Sequence, residues 1–226
     1  MKNACTAVVV AAGSARRMGG IDKAMTEIGG IPMLLRTVRA LAKSQRISGI
    51  TVVTREDLLD RVTALCAAEP KFLGAVAGGG TRAESVLRGL KAVQTSLVAI
   101  HDGARPLVTV PVINAAVEAA ERCGAAAPAI AVHDTIKIAK NGVVEQTPDR
   151  SALFAVQTPQ AFETSAIRSA LQAALEQALP LTDDCSAAEY AGLQVRLTPG
   201  SEENLKITVP SDLILAEAIL QGRDDQ

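Results

Sequence analysis

Short apolar runs separated by amphipathic stretches set the rhythm of this chain. β-Branched or aliphatic runs recur as "TAVVVA" at 6–11, "GITVVT" at 49–54, "SLVAIH" at 96–101, "PAIAV" at 128–132 and "QVRLT" at 194–198. Several lack the apolar–polar alternation of a half-exposed strand, the pattern of strands covered on both faces. The intervening segments have helical spacing. Pro32 is placed to open a helix whose Leu34, Leu35, Val38 and Leu41 form one apolar stripe. "TRAESVLRGLKAV" (81–93) begins with the capping-box pair Thr81 and Glu84 and then sets Val86, Leu87, Leu90 and Val93 on one face. Further helices are expected over 111–123, 164–178, 184–191 and 210–221. Strand and helix in alternation predict an α/β domain with a mostly parallel central sheet flanked by helices.

One segment breaks the rhythm. From His133 to Gln160 two alternating stretches are joined by "KNG", a hairpin signal. The pattern predicts an inserted arm over about 133–160, projecting as a lid or as a dimerisation element.

The first strand runs into "AAGSARRMGGIDK" (11–23). In open α/β sheets ligands gather at the carboxyl ends of the strands. Small residues there let backbone N–H groups approach a ligand, and successive amides form an anion-binding concavity. Arg16, Arg17 and Lys23 add positive charge, so the turn is read as a polyphosphate site. The chain has neither G-x-x-x-x-G-K-[ST] nor G-x-G-x-x-G, which argues against a P-loop nucleotidase and a dinucleotide-dependent dehydrogenase.

Composition narrows the partners. The 226 residues carry 23 Lys+Arg against 24 Asp+Glu, and the aromatic residues are three Phe and one Tyr with no Trp. Neither a basic field nor a stacking platform is present, so nucleic acid is not an expected partner. Four cysteines lie far apart with no C-x-x-C pair, which disfavours a zinc site or a disulfide framework. No apolar run reaches the length of a membrane span, and no signal-peptide core precedes the first strand. The expectation is a soluble cytoplasmic protein.

Seven words then occur in one order: "AAGSARRMGG…K" (11–23), "GGGTRAESVLRGL" (78–90), "HDGARP" (101–106), "DTIK" (134–137), "TPDRSALFAVQTPQAF" (147–162), "TDDCSAAEYAG" (182–192) and "ENLKITVPSDL" (203–213). Together they cover nearly the whole chain, which resembles the 2-C-methyl-D-erythritol 4-phosphate cytidylyltransferases of the non-mevalonate isoprenoid pathway. The resemblance implies a single Rossmann-like nucleotidyltransferase domain over 1–226, working on CTP and a small polyol phosphate with Mg²⁺. It implies Arg17, Lys23 and Lys206 as the catalytic cations. Ala11, Ala12, Gly13, Gly79, Gly80, Ser85, Asp102 and Gly103 are implied to bind CTP. Arg105, Thr135, Arg150, Thr158 and Thr182 are implied to bind the acceptor. No dedicated metal site is implied, the ion being held mainly by CTP phosphates with Asp102 as a candidate ligand. A homodimer formed through the arm is also implied.

Two positions depart from the family pattern: Asp22 stands where Pro is common before the lysine, and Gly80 where an acid is common. Thr81 and Glu84 are explained by the capping box, and Asp183 and Asp184 by the start of a helix. His101 and His133 have no carboxylate at telling spacing and are read as structural. The alternative functions are a ribitol 5-phosphate cytidylyltransferase and a nucleotide-binding protein without turnover.

Overall fold

The computed structural model describes residues 4–13 and 23–224. The chain opens with β1 (Cys5–Val10), and after the N-terminal turn come β2 (Glu27–Ile28), β3 (Ile31–Pro32) and α1 (Met33–Ala42). β4 (Ile47–Thr54), α2 (Leu59–Cys66), β5 (Phe72–Ala77), α3 (Arg82–Leu90) and β6 (Leu97–Asp102) follow. Then come α4 (Val110–Cys123), β7 (Ala125–Ala131), β8 (Ile138–Lys140), β9 (Val143–Gln146), β10 (Phe154–Val156) and β11 (Gln160–Glu163). α5 (Thr164–Glu176), α6 (Asp184–Tyr190), β12 (Arg196–Pro199) and α7 (Pro210–Asp224) complete the chain.

β5, β4, β1 and β6 pair in parallel, and β12 pairs in parallel with β7. β11 joins β6 to β7 antiparallel to both, and β10 continues antiparallel along β7. The sheet is therefore mostly parallel, with β10 and β11 as its antiparallel strands.

Both faces are covered, which explains the unbroken valines of β1. Ala7 and Val9 pack with Leu34, Val38 and Leu41 of α1, Val62 of α2, and Ile113 and Val117 of α4. Val8 faces the other way, against Val86 and Leu90 of α3, Ile167 and Leu171 of α5 and Ala187 of α6. A smaller cluster of Ile28, Met33, Leu107, Ile207 and Ala216 seats α7 beside the β2–β3 hairpin. No described helix is long and apolar enough to cross a membrane. The four cysteines are free thiols, with Cys123 exposed and the other three buried.

Several boundaries differ from the sequence pattern for local reasons. Pro32 is the residue before α1 rather than its first turn, because it closes the β2–β3 pair opposite Glu27. The arm is shorter than the alternation implies. Its hairpin is β8–β9 alone, while Phe154–Val156 returns to pair with Ala129–Ala131 of the main sheet. β7 begins at Ala125, because a run of small residues lets α4 and α5 approach opposite faces despite alanine's weak strand preference.

Candidate active site

Three loops at the carboxyl ends of the parallel strands are tied together by backbone hydrogen bonds. Ala11 N donates to Val53 O (2.7 Å), Gly78 N to Thr54 O (2.7 Å) and Gly103 N to Val10 O (2.9 Å). The contacts leave no room for side chains. A Cβ on Gly78 would lie 2.4 Å from Ala12 Cβ, and one on Gly103 would lie 3.0 Å from Ala11 Cβ and 3.2 Å from Val10 O. Small residues at 11–13, 78–80 and 103 thus let three backbones come close at the carboxyl edge of the sheet, with the amides of 11, 78 and 103 given to neighbouring strands. Arg16, Arg17 and Asp22 lie outside the described residues. Lys23 opens a short 3₁₀ turn through Met25 that returns the chain to β2, and its side chain also lies outside the described part.

The second loop is fixed by its own helix. Thr81 Oγ1 accepts from Glu84 N (3.2 Å) and Glu84 Oε2 accepts from Thr81 N (3.3 Å), the reciprocal capping box expected at the start of α3. Glu84 Oε2 also takes Gly80 N (2.6 Å), and Ser85 Oγ takes Gly79 N (3.0 Å) while donating to Thr81 O (2.8 Å). The amides of Gly79 and Gly80 and the Ser85 hydroxyl therefore hold the loop in shape. What this loop offers a ligand is carbonyl oxygen and close approach.

At the end of β6, Asp102 is buried (8% exposed) and surrounded by cations. Its Oδ2 is 2.9 Å from Lys206 Nζ and 3.6 Å from Arg105 Nε, and its Oδ1 is 3.5 Å from Arg82 Nη2. Burial alone would raise this carboxyl, but Lys206, Arg82 and Arg105 outweigh it and hold the pKa at about 2. Lys206 is presented by a pinned segment. Ile207 N donates to Ala104 O (2.9 Å), Arg105 Nη1 to Asn204 O (2.6 Å), and the buried Asn204 amide to Thr158 O (2.9 Å) and Gln157 Oε1 (3.1 Å). The word "ENLKIT" is thereby explained. Asn204 and Ile207 anchor the segment from inside, and the lysine between them keeps 45% of its side chain exposed beside Asp102.

His101 and Thr158 have structural duties. Thr158 Oγ1 accepts from Asp102 N (3.1 Å) and lies 2.9 Å from His101 Nδ1, while His101 Nε2 lies 3.1 Å from Arg105 O. Arg105 O can only accept, so Nε2 carries the proton and Nδ1 accepts from the threonine hydroxyl. Burial, only partly opposed by the hydrogen bond to Arg105 O, lowers the imidazole pKa from 6.5 to about 4. The ring is neutral at physiological pH, with both nitrogens engaged. Thr158, expected to offer its hydroxyl to the acceptor, is 4% exposed, and its hydroxyl shapes the Asp102 loop through Asp102 N and His101.

This buried neutral ring links stability to pH. Above pH 6.5 both folded and unfolded chains are neutral at His101; between there and about pH 4 only the unfolded chain takes up the proton. Stability therefore falls as pH drops through that window, by up to about 3 kcal/mol from this group. Asp102 stays ionised throughout it. Urea unfolding of wild type and His101→Gln at about pH 7 and about pH 4.5 should show a shallower acid loss in the variant. Parallel losses would contradict the assignment.

The remaining expected site residues are distributed as follows. Arg105 is mostly enclosed by Asp102 and Asn204 and braces the loop. Thr182 is exposed and shares a cavity of about 160 Å³ with Thr81, Arg82 and Asp184. Thr135 and Arg150 stand on the exposed arm, where Arg150 Nη1 donates to His133 O (3.1 Å). His133 meets Glu202 Oε1 (3.0 Å), a surface pair 69 residues apart that local spacing could not reveal.

Two charged residues do more here than their local spacing shows. Asp183 caps α6 as expected, its Oδ1 accepting from Ser186 N (2.9 Å). Asp184, read as a first-turn residue only, is fully buried with Oδ2 2.8 Å from Arg82 Nη2. Arg82, inside the capping sequence, bridges Asp184 to Asp102. Gln160 locks this corner, with Oε1 accepting from Asp184 N (3.0 Å) and Cys185 N (3.1 Å) and Nε2 donating to Asp183 Oδ2 (2.7 Å).

The family description "2-C-methyl-D-erythritol 4-phosphate cytidylyltransferase" (IspD) matches residues 5–222. An enzyme of that name from Geobacillus kaustophilus is 43% identical over 221 residues, covering 96% of this chain and 97% of its own. The solved structure of 4-diphosphocytidyl-2C-methyl-D-erythritol synthase from Anaerococcus prevotii superposes with a TM-score of 0.87 at 30% identity, covering 98% of this chain and all of that one. The 2-C-methyl-D-erythritol 4-phosphate cytidylyltransferase structure from Thermus thermophilus superposes at 0.77 with 34% identity, covering 95% and 98%. With a match of this extent in both sequence and fold, the chain belongs to the 2-C-methyl-D-erythritol 4-phosphate cytidylyltransferase family.

Proposed function

We propose that this chain transfers the cytidylyl group of CTP to 2-C-methyl-D-erythritol 4-phosphate, giving 4-diphosphocytidyl-2-C-methyl-D-erythritol and pyrophosphate. The observation that carries the reading is the convergence of the 11–13, 78–81 and 102–105 loops beside the Asp102–Lys206 pair. An acceptor phosphate oxygen attacks the α-phosphorus of CTP. The new O–P bond forms as the bond to the β-phosphate bridging oxygen breaks, and pyrophosphate leaves with the electron pair. The nucleophile is already an anion near neutral pH, since the second pKa of a phosphate monoester is about 6. A general base is therefore unnecessary, consistent with a buried His101 whose nitrogens are both occupied.

The obstacle is repulsion between two phosphates, and the chain answers it with positive groups. In this reading Arg17 and Lys23 meet the triphosphate on the 11–13 turn, and the carbonyls of the 78–80 loop read the cytosine. Lys206, held by Asp102, faces the acceptor phosphate and the reacting phosphorus. Asp102 and Arg105 keep that lysine in place.

Magnesium is the proposed cofactor. Among the described residues no three His, Cys, Asp or Glu side chains gather into a cation site, and Asp102 already faces three cations. So sparse a donor set fits an ion carried on triphosphate oxygens and water, with Asp102 contributing only by releasing one of those cations. Bound there, the ion would neutralise phosphate charge.

The arm exposes Ile136, Ile138, Val143 and Val144, and β10 beside it exposes Phe154 and Val156, apolar side chains unusual for a monomer's surface. We read them as the contact with a second copy, which would bring Thr135 and Arg150 to the acceptor in a shared site of a cytoplasmic homodimer. Arg150→Ala should then raise KM for the acceptor far more than KM for CTP. Equal effects would remove the arm from acceptor binding.

Pyrophosphate release with CTP and Mg²⁺ tests the function. Turnover should require 2-C-methyl-D-erythritol 4-phosphate. A preference for ribitol 5-phosphate would reassign the acceptor, and absence of turnover with either would leave a nucleotide-binding protein.

A further inference from the structure

Arg82 lies at the first position of α3, directly after the 78–81 loop, and reaches two carboxylates from different parts of the fold. Its Nη2 is 2.8 Å from Asp184 Oδ2 and 3.5 Å from Asp102 Oδ1. The opposite oxygen of Asp102 meets Lys206 at 2.9 Å. The order Asp184–Arg82–Asp102–Lys206 is thus a chain of alternating charge running from the start of α6 to the proposed acceptor cation. Asp184 is fixed at the other end by Gln160, which accepts from its backbone amide, and its carboxylate is fully buried.

We propose that Arg82, anchored by Asp184, is a positioning residue for the reaction. It holds one oxygen of Asp102 so that the other presents Lys206 to the phosphates, coupling the nucleotide-side loop to the acceptor-side cation. The geometry favours this over a purely structural pair for two reasons. Arg82 divides its charge between a wholly buried carboxylate and one beside an exposed lysine, where a simple staple needs only the first. The Arg82 side chain also stays 31% exposed, lining a cavity with Thr182 and Asp184 rather than closing a sealed core. Asp184 limits the pull of Arg82 on Asp102. Without it the guanidinium would pair fully with Asp102 and compete with Lys206.

The inference rests on the proposed cytidylyl transfer, and wild-type turnover is the control that separates the two. If wild type does not release pyrophosphate with CTP and either acceptor, the functional reading fails on its own account. With an active wild type, the decisive comparison is Arg82→Met against the double variant Arg82→Met/Asp184→Leu. The single change strands a buried carboxylate and should lower both melting temperature and kcat. The double change replaces the whole pair by apolar groups, which is often neutral for stability. Its melting temperature should recover while kcat stays at least about tenfold below wild type, the scale of one displaced electrostatic contact. Recovery of kcat together with melting temperature would make the pair structural and overturn the proposal. A second variant covers poor folding of the first two. Asp184→Asn keeps the side-chain size and should reduce kcat about tenfold or more with a smaller change in KM for CTP. Unchanged kcat in Asp184→Asn would overturn the proposal equally.

Discussion

Replacing Lys206 by methionine is expected to lower kcat by on the order of 10²–10³-fold, the range for one lost transition-state contact, with little change in melting temperature. The side chain is almost half exposed and its described ion pair is to Asp102, so its removal opens no cavity. The segment that carries it is held by other groups, the Ile207 amide on Ala104 O and the Asn204 amide on Thr158 O, and these remain. What changes is the sign of the local field. With Lys206 in place, Asp102 is neutralised toward the cleft. Without it, Asp102 loses the cation that does most to hold its carboxyl low, and the charge it keeps beside Arg82 and Arg105 adds to the repulsion of two incoming phosphates. The loss should therefore exceed that of a missing attraction alone. Steady-state rates with a thermal melt as control check it. A near-normal kcat would take the acceptor-side cation out of the mechanism.

Arg17→Ala and Lys23→Ala should each lower kcat by on the order of 10²-fold and raise KM for CTP. The backbone of the 11–13 turn supplies partial charges only, and the Ala11 amide is already given to Val53 O. A triphosphate carries several full negative charges, and the leaving pyrophosphate gains more as the bond breaks. Fixed cations on that side stabilise the transition state more than the bound substrate, which is why kcat and not only KM should respond. The adjacent Asp22 makes the size of the Lys23 effect informative. If Lys23→Ala is much milder than Arg17→Ala, the aspartate is already drawing that lysine away from the nucleotide. Near-normal rates in both variants would mean the turn does not hold the triphosphate.

Much of the fold was legible because it follows local rules. The unbroken valines of β1 and the i, i+3, i+4 stripes of α1 and α3 each record burial on a definite face. The capping box at Thr81 and Glu84 marked the start of α3 to the residue. β5 escaped notice because it is an edge strand whose residues are mostly half-buried, with Leu73 61% exposed and Gly74 at φ 145°. β11 is four residues of mixed character whose strand state comes from β6 and β7 on either side.

The site was legible in its backbone and less so in its charges. Small residues in the three loops declare that something must come close, and the structure brings those loops together. The Asp184–Arg82–Asp102–Lys206 order links four positions spread from the third helix to the last loop, and no local spacing encodes it. The signal available was an Asp-Asp pair of which only the first residue was needed as a cap. The surroundings of Thr158 were hidden for a similar reason: a hydroxyl's partner is fixed by the fold, and here it is a buried histidine 57 residues away.

The central claim is that a cradle of amides and fixed cations at the carboxyl edge of the sheet brings two phosphates together in line. A crystal structure of the protein with CTP and Mg²⁺ tests it most directly. The account predicts the cytosine against the 78–81 loop, the triphosphate over residues 11–13 with Arg17 and Lys23 closing on it, and the α-phosphate turned toward Lys206. A triphosphate directed away from the N-terminal turn, with Lys206 still turned only to Asp102 and far from the α-phosphorus, would contradict it.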